Sequence, residues 1–530
     1  MHGPDRRDRY LTSTPVSACR APVCGRGEIG RRSGLKIRFH RSAGSSPAVR
    51  TIIAVLLPLA ILTGCNQRPD TGAVVVSAIG DPPRLPDLRH ARADKPALLY
   101  ADATAEGLVR FDAGGQIEPG LAERWIVIDG GMSYIFRLRE AQWADVSDVT
   151  ADQIVAALTA RIAPESRNPL APFLTAIDEI VVMTPQVIEV RLKRPRPDLL
   201  KLFAQPELTL WPSIRRGGAG PMRVAVAGRS PLLRPAVDPS VGDPEDQRPT
   251  QPEDDVRLIG ERAARAIVRF AAHRSDLVAG GSFVDWPLVA LGDVAPANIQ
   301  IDPAAGLFGL TIVNRDGFLA DAANRDAISQ AIDRDALTQA IRPGWDATSQ
   351  ILPESLDSSA PPAIPSWAAT PIADRRTAAR VRVAAWQGDP IVLRIALPET
   401  GPGATIVYGR IAASLRAIGI AAIRVGIDDD ADLRLVDAVA PYDSARWYLA
   451  NACAMCGDQA RSVLLAARDA PTLGERARLI AAADAALRDD AAFIPIARPL
   501  RWSLVALRLS QWRANSRAWH PLNRLRSDTK

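Results

Sequence analysis

The chain has 530 residues, 47% of them hydrophobic and 23% charged, and 65 Lys and Arg against 59 Asp and Glu give it a net charge of +6. That charge is unevenly placed. Residues 1–64 hold 11 of the basic side chains and 3 of the acidic ones, so the chain from Cys65 onward carries 54 against 56, a net of −2. Nucleic-acid binding rests on clustered positive charge, so that class of partner is excluded for the remainder. About 466 residues are left, enough for two or three lobes with sizeable cores.

Residues 1–48 show no sustained hydrophobic period. They include "CGRGEIG", which satisfies G-x-G-x-x-G at Gly25, Gly27 and Gly30. No strand pattern precedes it and no βαβ unit surrounds it, so it reads as a chance match. From Ile52 to Leu62 the sequence "IIAVLLPLAIL" is uncharged. A spanning helix needs about 20 apolar residues, whereas a signal-peptide core needs about 7–15. Arg50 supplies a positive flank, and translation is expected to begin near Val49. The run ends in Leu62-Thr63-Gly64-Cys65, which resembles the lipobox of bacterial lipoproteins. That resemblance implies cleavage before Cys65 and acylation of it. Residues 1–64 are then a signal peptide with a spurious extension, 65–75 a lipidated tether, and the mature protein is held to a membrane in the periplasm or cell envelope.

Strand and helix patterns then alternate, the mark of an α/β or α+β architecture. "MSYIFRLR" (132–139) reads as a strand, with Tyr134, Phe136 and Leu138 on one face. "VTADQIVAALTARI" (149–162) reads as a helix, capped by Thr150 with Gln153 as its return partner. Its stripe is Ile154, Leu158 and Ile162. "DEIVVMTPQVIEVRL" (178–192) divides into two strands at Thr184-Pro185. The stretch 228–255 holds six prolines and many acids but no aromatic residue, and is expected to be an exposed mobile loop. "NRDAISQAIDRDALTQAI" (324–341) presents Ala327, Ile328, Ala331 and Ile332 on one helical face. Residues 360–372 make a second proline-rich connection. "TIVYGRIAASLRAIGI" (405–420) aligns Val407, Ile411, Leu415 and Ile418. "TLGERARLIAAADAALRDD" (472–490) aligns Leu473, Ala477, Ile480 and Leu487.

Processing leaves three cysteines, Cys65, Cys453 and Cys456. The last two form a lone C-x-x-C. No second such pair exists and His90, His273 and His520 are scattered, so no metal site is expected. Cys453 and Cys456 are either a small disulfide or two unpaired buried thiols. No G-x-S-x-G, H-E-x-x-H or phosphate loop occurs. The adjacent pairs Asp429-Asp430 and Asp489-Asp490 read as solvated surface. Neither catalysis nor a cofactor is expected.

At residues 106–154 the sequence "EGLVRFDAGGQIEPGLAERWIVIDGGMSYIFRLREAQWADVSDVTADQI" resembles the N-terminal signature of family 5 extracellular solute-binding proteins, the oligopeptide, dipeptide and nickel receptors of ABC importers. Further landmarks follow in order at "GAGPMRV" (218–224), "GLFGLTIVNRD" (306–316), "RDAISQAIDRDAL" (325–337) and "RARLIAAADAALRDDAAFIPI" (476–496). The resemblance implies an α/β, two-lobed periplasmic-binding-protein-like fold (type II, the large peptide-binding cluster) with two hinge crossings, near Phe308–Thr311 and Ile494–Ala497. Residues 76–307 and 497–530 would form lobe I and residues 308–496 lobe II. It implies a monomeric, lipid-anchored receptor that captures a small solute, first of all a peptide, in an interlobe cleft and delivers it to an ABC permease. An alternative is a divergent lipoprotein with a structural or signalling role. In peptide-binding members an Asp beside a Tyr meets the ligand's amine. Here "DAVAPYDSARWYL" (437–449) has Pro441 before Tyr442, leaving Asp443 or Asp437 as the substitute. Trp447 and Trp143 complete the expected binding set. The turn around Trp143 lacks the family's usual glycine.

Overall fold

The computed structural model describes residues 71–86, 93–213, 217–237, 249–354 and 356–526. The expected start at Val49, the lipobox and Cys65 lie outside the described residues. Among those residues no helix is long and apolar enough to cross a membrane.

The chain opens with β1 (Val74–Ile79) and α1 (Lys95–Thr104), then makes a ribbon of β2 (Val109–Phe111) and β3 (Ile117–Pro119). Next come β4 (Ala122–Ile128), β5 (Ser133–Leu138), α2 (Ala151–Ile162), β6 (Ile177–Thr184) and β7 (Val187–Leu192). These four strands form an antiparallel sheet in the order β4-β5-β7-β6. Period-two alternation dictates its inner face: Tyr134, Phe136 and Leu138 are buried against Ile188 and Val190. Thr150 caps α2 through the Gln153 backbone amide, and the Gln153 side chain accepts from the Thr150 amide in return.

The chain continues through β8 (Met222–Val226), β9 (Leu232–Pro235), β10 (Val256–Glu261), α2's successor α3 (Ala263–Ala271), β11 (Leu277–Ser282) and β12 (Ile299–Asp302). It then enters β13 (Gly306–Ile312), α4 (Ala322–Ala331), α5 (Arg334–Ile341), α6 (Ile372–Ala384), β14 (Val392–Ala396), α7 (Pro402–Arg416), β15 (Ala421–Val425) and β16 (Leu433–Val439). The helices α8 (Ala445–Ala452), α9 (Asp458–Asp469) and α10 (Leu473–Asp490) precede β17 (Phe493–Ala497) and β18 (Arg501–Val505).

Two mixed sheets result. The seven-stranded sheet runs β12-β18-β11-β1-β10-β9-β8, with β1 parallel to β10 and β11. The five-stranded sheet runs β15-β14-β16-β13-β17, with β13 antiparallel to β16 and β17. The chain passes between them twice, from β12 to β13 and from β17 to β18, through residues 303–305 and 498–500. Phe308–Thr311 and Ile494–Ala497 lie beside these passages, inside β13 and β17. Every residue of both strands is buried, as expected where a strand is covered on both faces.

Three expectations need correction. The pattern over 324–341 forms two helices: the first ends at Ala331, where Ile332 turns extended, and Asp333 caps the second by accepting from the Ala336 amide at 3.1 Å. The stretch 228–255 is not wholly a loop. Leu232–Pro235 form β9, whose Leu233 is fully buried, and Pro231 and Pro235 sit at its ends, where no ladder amide is needed. Residues 238–248 of that stretch lie outside the described residues. Leu473 is 54% exposed, because it stands in the first turn of α10, before the stripe of Ile480 and Leu487 reaches the core.

Candidate ligand cavity

A cavity of about 580 Å³ opens where the two passages lie side by side. Asp302 reaches it from the end of β12, Arg501 and Trp502 from the start of β18, and Ala438 and Val439 from the end of β16. Strands of both large sheets therefore share one cavity. Gly280 and Gly281 of β11 make room in its wall. Gly280 has φ +89, and a Cβ there would sit 3.0 Å from Lys95 Cγ; one on Gly281 would collide with the Trp502 ring at 2.2 Å. Phe173, Trp447, Trp502 and Trp519 supply apolar surface.

The charges around this cavity divide into two groups. In the first, every charge has a partner. Arg501 Nη1 donates to both Asp437 oxygens, at 2.9 and 3.0 Å. This pair joins β18 of one sheet to β16 of the other. Burial pushes the Asp437 carboxyl up, and Arg501 partly offsets the shift. Asp302 accepts from the Asn515 amide at 3.0 Å and lies 3.2 Å from His520 Nε2. Arg517 donates to Ala440 O at 2.9 Å and pairs closely with Asp443.

Asp443 also takes Lys201 at 2.6 Å. Burial alone would raise its carboxyl, but the two cations outweigh it and hold it below the ordinary range. The neighbouring Pro441 carbonyl accepts from Gln205 Nε2 at 2.5 Å, and the Tyr442 hydroxyl accepts from Arg196 at 2.9 Å. The segment expected to greet a ligand amine is thus clamped from both sides. Asp437 and Asp443 already carry their cations.

The second group has two members. Lys95 stands at the start of α1, donates to Ala518 O at 3.0 Å and lies 4.1 Å over the Trp519 ring. Burial lowers its ammonium to about 8, against the raising effect of Asp302 and other acids. Glu207 lies in a single 3-10 turn, Pro206–Leu208, and its buried Oε2 has no hydrogen-bond partner among the described residues. Burial pushes its carboxyl up, while its own backbone amide and Lys95 draw it down.

Of the residues expected to bind ligand, Trp447 lines this cavity, from α8. Asp437 and Asp443 stand at its margin through their arginines. Trp143 does not join them. It is 1% exposed, its indole donates to Gln153 Oε1 at 2.8 Å, and it borders a different cavity. Cys453 and Cys456 are joined as a disulfide just after α8, with their Cα atoms 4.8 Å apart. Lys95, Glu207, Arg501 and Trp519 escaped the sequence reading. Glu207 left one signal, as the sole charge between Lys201 and Arg215 in "LFAQPELTLWPSI". Among the described residues no group of three His, Cys, Asp or Glu side chains gathers as a metal site.

Residues 116–217 match the family model described as bacterial extracellular solute-binding proteins, family 5 Middle. The resemblance to family 5 holds. The chain is 43% identical over 70 residues to the probable deoxycholate-binding periplasmic protein YgiS of Escherichia coli, a match covering 13% of each chain. It is 31% identical over 119 residues to the periplasmic oligopeptide-binding protein OppA of E. coli, covering 19% of this chain and 22% of that one. These matches span less than a quarter of either relative's length. The Haemophilus influenzae OppA complex with the peptide RPPGFSPFR superposes with a TM-score of 0.73 at 16% identity, over 87% of this chain and 99% of that one. The fold is therefore the two-lobed α/β one of these binding proteins.

Proposed function

We propose that the protein is the lipid-anchored substrate-binding component of an ABC importer, capturing peptides in the cavity between its sheets and presenting them to the permease. The observation that carries this reading is the cavity's position. Strands of both large sheets line it next to the two passages that join them, so a ligand held there contacts both lobes. Such a ligand favours the closed form by its differential affinity, and rotation about the passages is the hinge motion. Residues 76–307 with 497–530, and residues 308–496, are the two bodies that move. Trp447 belongs to the ligand wall, whereas Asp437 and Asp443 hold that wall together.

The likeness to an oligopeptide receptor supports peptides as the ligand, and Cys65 is the site of the anchor that keeps a periplasmic, monomeric receptor beside its transporter. The reading makes the chain a receptor and gives it no catalytic role. A thermal-shift screen of the full chain carrying Cys65→Ala, against pooled free peptides, metal complexes and sugars, tests it. Peptide pools are expected to raise the melting temperature. No response to any pool would remove the importer reading in favour of a structural or signalling lipoprotein.

A further inference from the structure

The charges around the cavity are not all paired within the protein, and the unpaired ones have a definite form. Asp302, Arg501 and Arg517 each meet an opposite charge or enough hydrogen bonds to satisfy them. Lys95 and Glu207 form no ion pair among the described residues, although both line the cavity and each acts electrostatically on the other. An ionisable group drawn out of water without an opposite charge beside it is costly, and an acid and a base left so in one cavity are a cost that a folding constraint does not explain.

Both groups are held from behind. Asn168 Nδ2 donates to the Glu207 carbonyl at 3.1 Å, and Leu208 beside it is buried in the core. The turn is fixed further by Gln205, whose amide reaches Lys201 O at 3.1 Å as well as Pro441 O. Lys95 occupies the space that Gly280 leaves, its stem against the glycine and its head over Trp519. Each charged group is thus supplied by a rigid element, which is how a preorganised binding group is built.

Resting on the reading of this cavity as the ligand site, we propose that Glu207 receives the ligand's cationic group and Lys95 its anionic group, so that the cavity selects zwitterions with an apolar body. The matching ligand carries an ammonium or guanidinium at one place and a carboxylate at another, with side chains against Phe173, Trp447 and Trp519. It completes both charges at once. A ligand blocked at either charge leaves one protein group stranded, and a stranded buried group is a stronger source of discrimination than a lost apolar contact. Asp443 and Asp437, the two acids the family resemblance offers for the amine, are already held by Lys201 and Arg517 and by Arg501, and are spared this role.

The test uses the full chain with Cys65→Ala and calorimetric titration of three pools of tripeptides: free, N-acetylated and C-amidated. The free pool is expected to bind at least tenfold more tightly than either blocked pool. Glu207→Gln is expected to remove the preference for a free amine, and Lys95→Gln the preference for a free carboxylate. Asp443→Asn should leave both preferences in place. Melting temperature separates a binding role from a structural one, since removing an unpartnered charge should leave it equal or higher. Free-pool binding that is unchanged in Glu207→Gln, or blocked pools that bind as well as the free one, would overturn the proposal while leaving peptide capture standing. Failure of every pool to bind would overturn both.

Discussion

Two cavities of similar size carry charge in opposite ways. The first holds about 580 Å³ and leaves Lys95 and Glu207 without counter-ions among the described residues. The other, about 740 Å³, lies beneath the β2–β3 ribbon and is lined by Glu106, Arg110, Glu118, Arg139, Arg223 and Arg524. Here the charges answer one another. Arg110 Nε meets Glu118 at 2.8 Å, Arg524 meets Glu118 at 2.9 Å, and Arg139 pairs closely with Glu106. Arg223, without a carboxylate, donates to Gly220 O at 2.6 Å and Gln142 O at 3.0 Å. A concave surface rich in charge is therefore not in itself a binding site. What separates the two is the carboxylates: Glu106, Glu118 and Glu123 each face an arginine, whereas Glu207 faces no cation within ion-pair distance among the described residues.

Substitutions should divide along that line. The largest effect is expected at Glu106, whose side chain is only 3% exposed. Glu106→Ala strands part of Arg139 and Arg110, and breaking a buried pair from one side costs about 3 kcal/mol. Urea unfolding is expected to show that loss, with tripeptide binding unchanged. A loss of binding at preserved stability would instead make the second cavity a ligand site. Asp437→Asn comes next. Asn can keep one hydrogen bond to Arg501 but loses the charge, a change of about 2 kcal/mol. Because this pair joins the two sheets, small-angle scattering of the unliganded variant should show a larger radius of gyration. An unaltered radius would make the pair a local brace only.

Sequence and structure agree where a local rule decides the outcome. Thr150 and Gln153 sit three apart because a capping box needs that spacing, so α2 was legible from its first residues. The alternation in "SYIFRL" fixed the inner face of β5 in the same way. The break between α4 and α5 was hidden because the apolar spacing runs on through Ile332, although the backbone turns extended there and Asp333 caps the next helix. Family likeness directed attention to Asp437, Asp443 and Trp143. Their roles depend on partners distant in sequence: Arg501 lies 64 residues from Asp437, and Lys201 lies 242 from Asp443. No local pattern encodes such pairings. For the same reason Glu207 was invisible as a site residue, since its significance is the absence of a partner, which only the assembled chain reveals.

The smallest expected effect sharpens the comparison most, because α1 carries Lys95 in the first cavity and Asp102, which feels Arg110 and Glu106 of the second. Lys95 and Asp102 stand seven residues apart on α1, close to one face. Burial raises the Asp102 carboxyl to about 7, while the Trp519 indole at 3.2 Å, Arg110 and Lys95 draw it down and Glu106 pushes it up. Its folded value lies above the ordinary 3.8, so the folded state binds the extra proton between about 4 and 7. Stability from this group is complete below about 4 and is lost as pH rises through 7, with a slope of at most about 1.4 kcal/mol per pH unit. Lys95 behaves in the opposite sense. Its folded value of about 8 lies below the unfolded 10.5, so stability should recover between those values as the unfolded chain alone stays protonated. Asp102→Asn is expected to flatten the acid limb of a stability–pH curve, and Lys95→Gln the alkaline limb. Affinity for a ligand whose cation is a guanidinium, which does not titrate in this range, should follow only the second, falling above about pH 8 as Lys95 loses the charge that holds the ligand's anion. Burial chiefly sets where the fall begins, and Asp302, Arg501, Glu207 and Asp102 adjust it. Affinity that stays level from pH 7 to 10 would return Lys95 to the fully satisfied class represented by the second cavity.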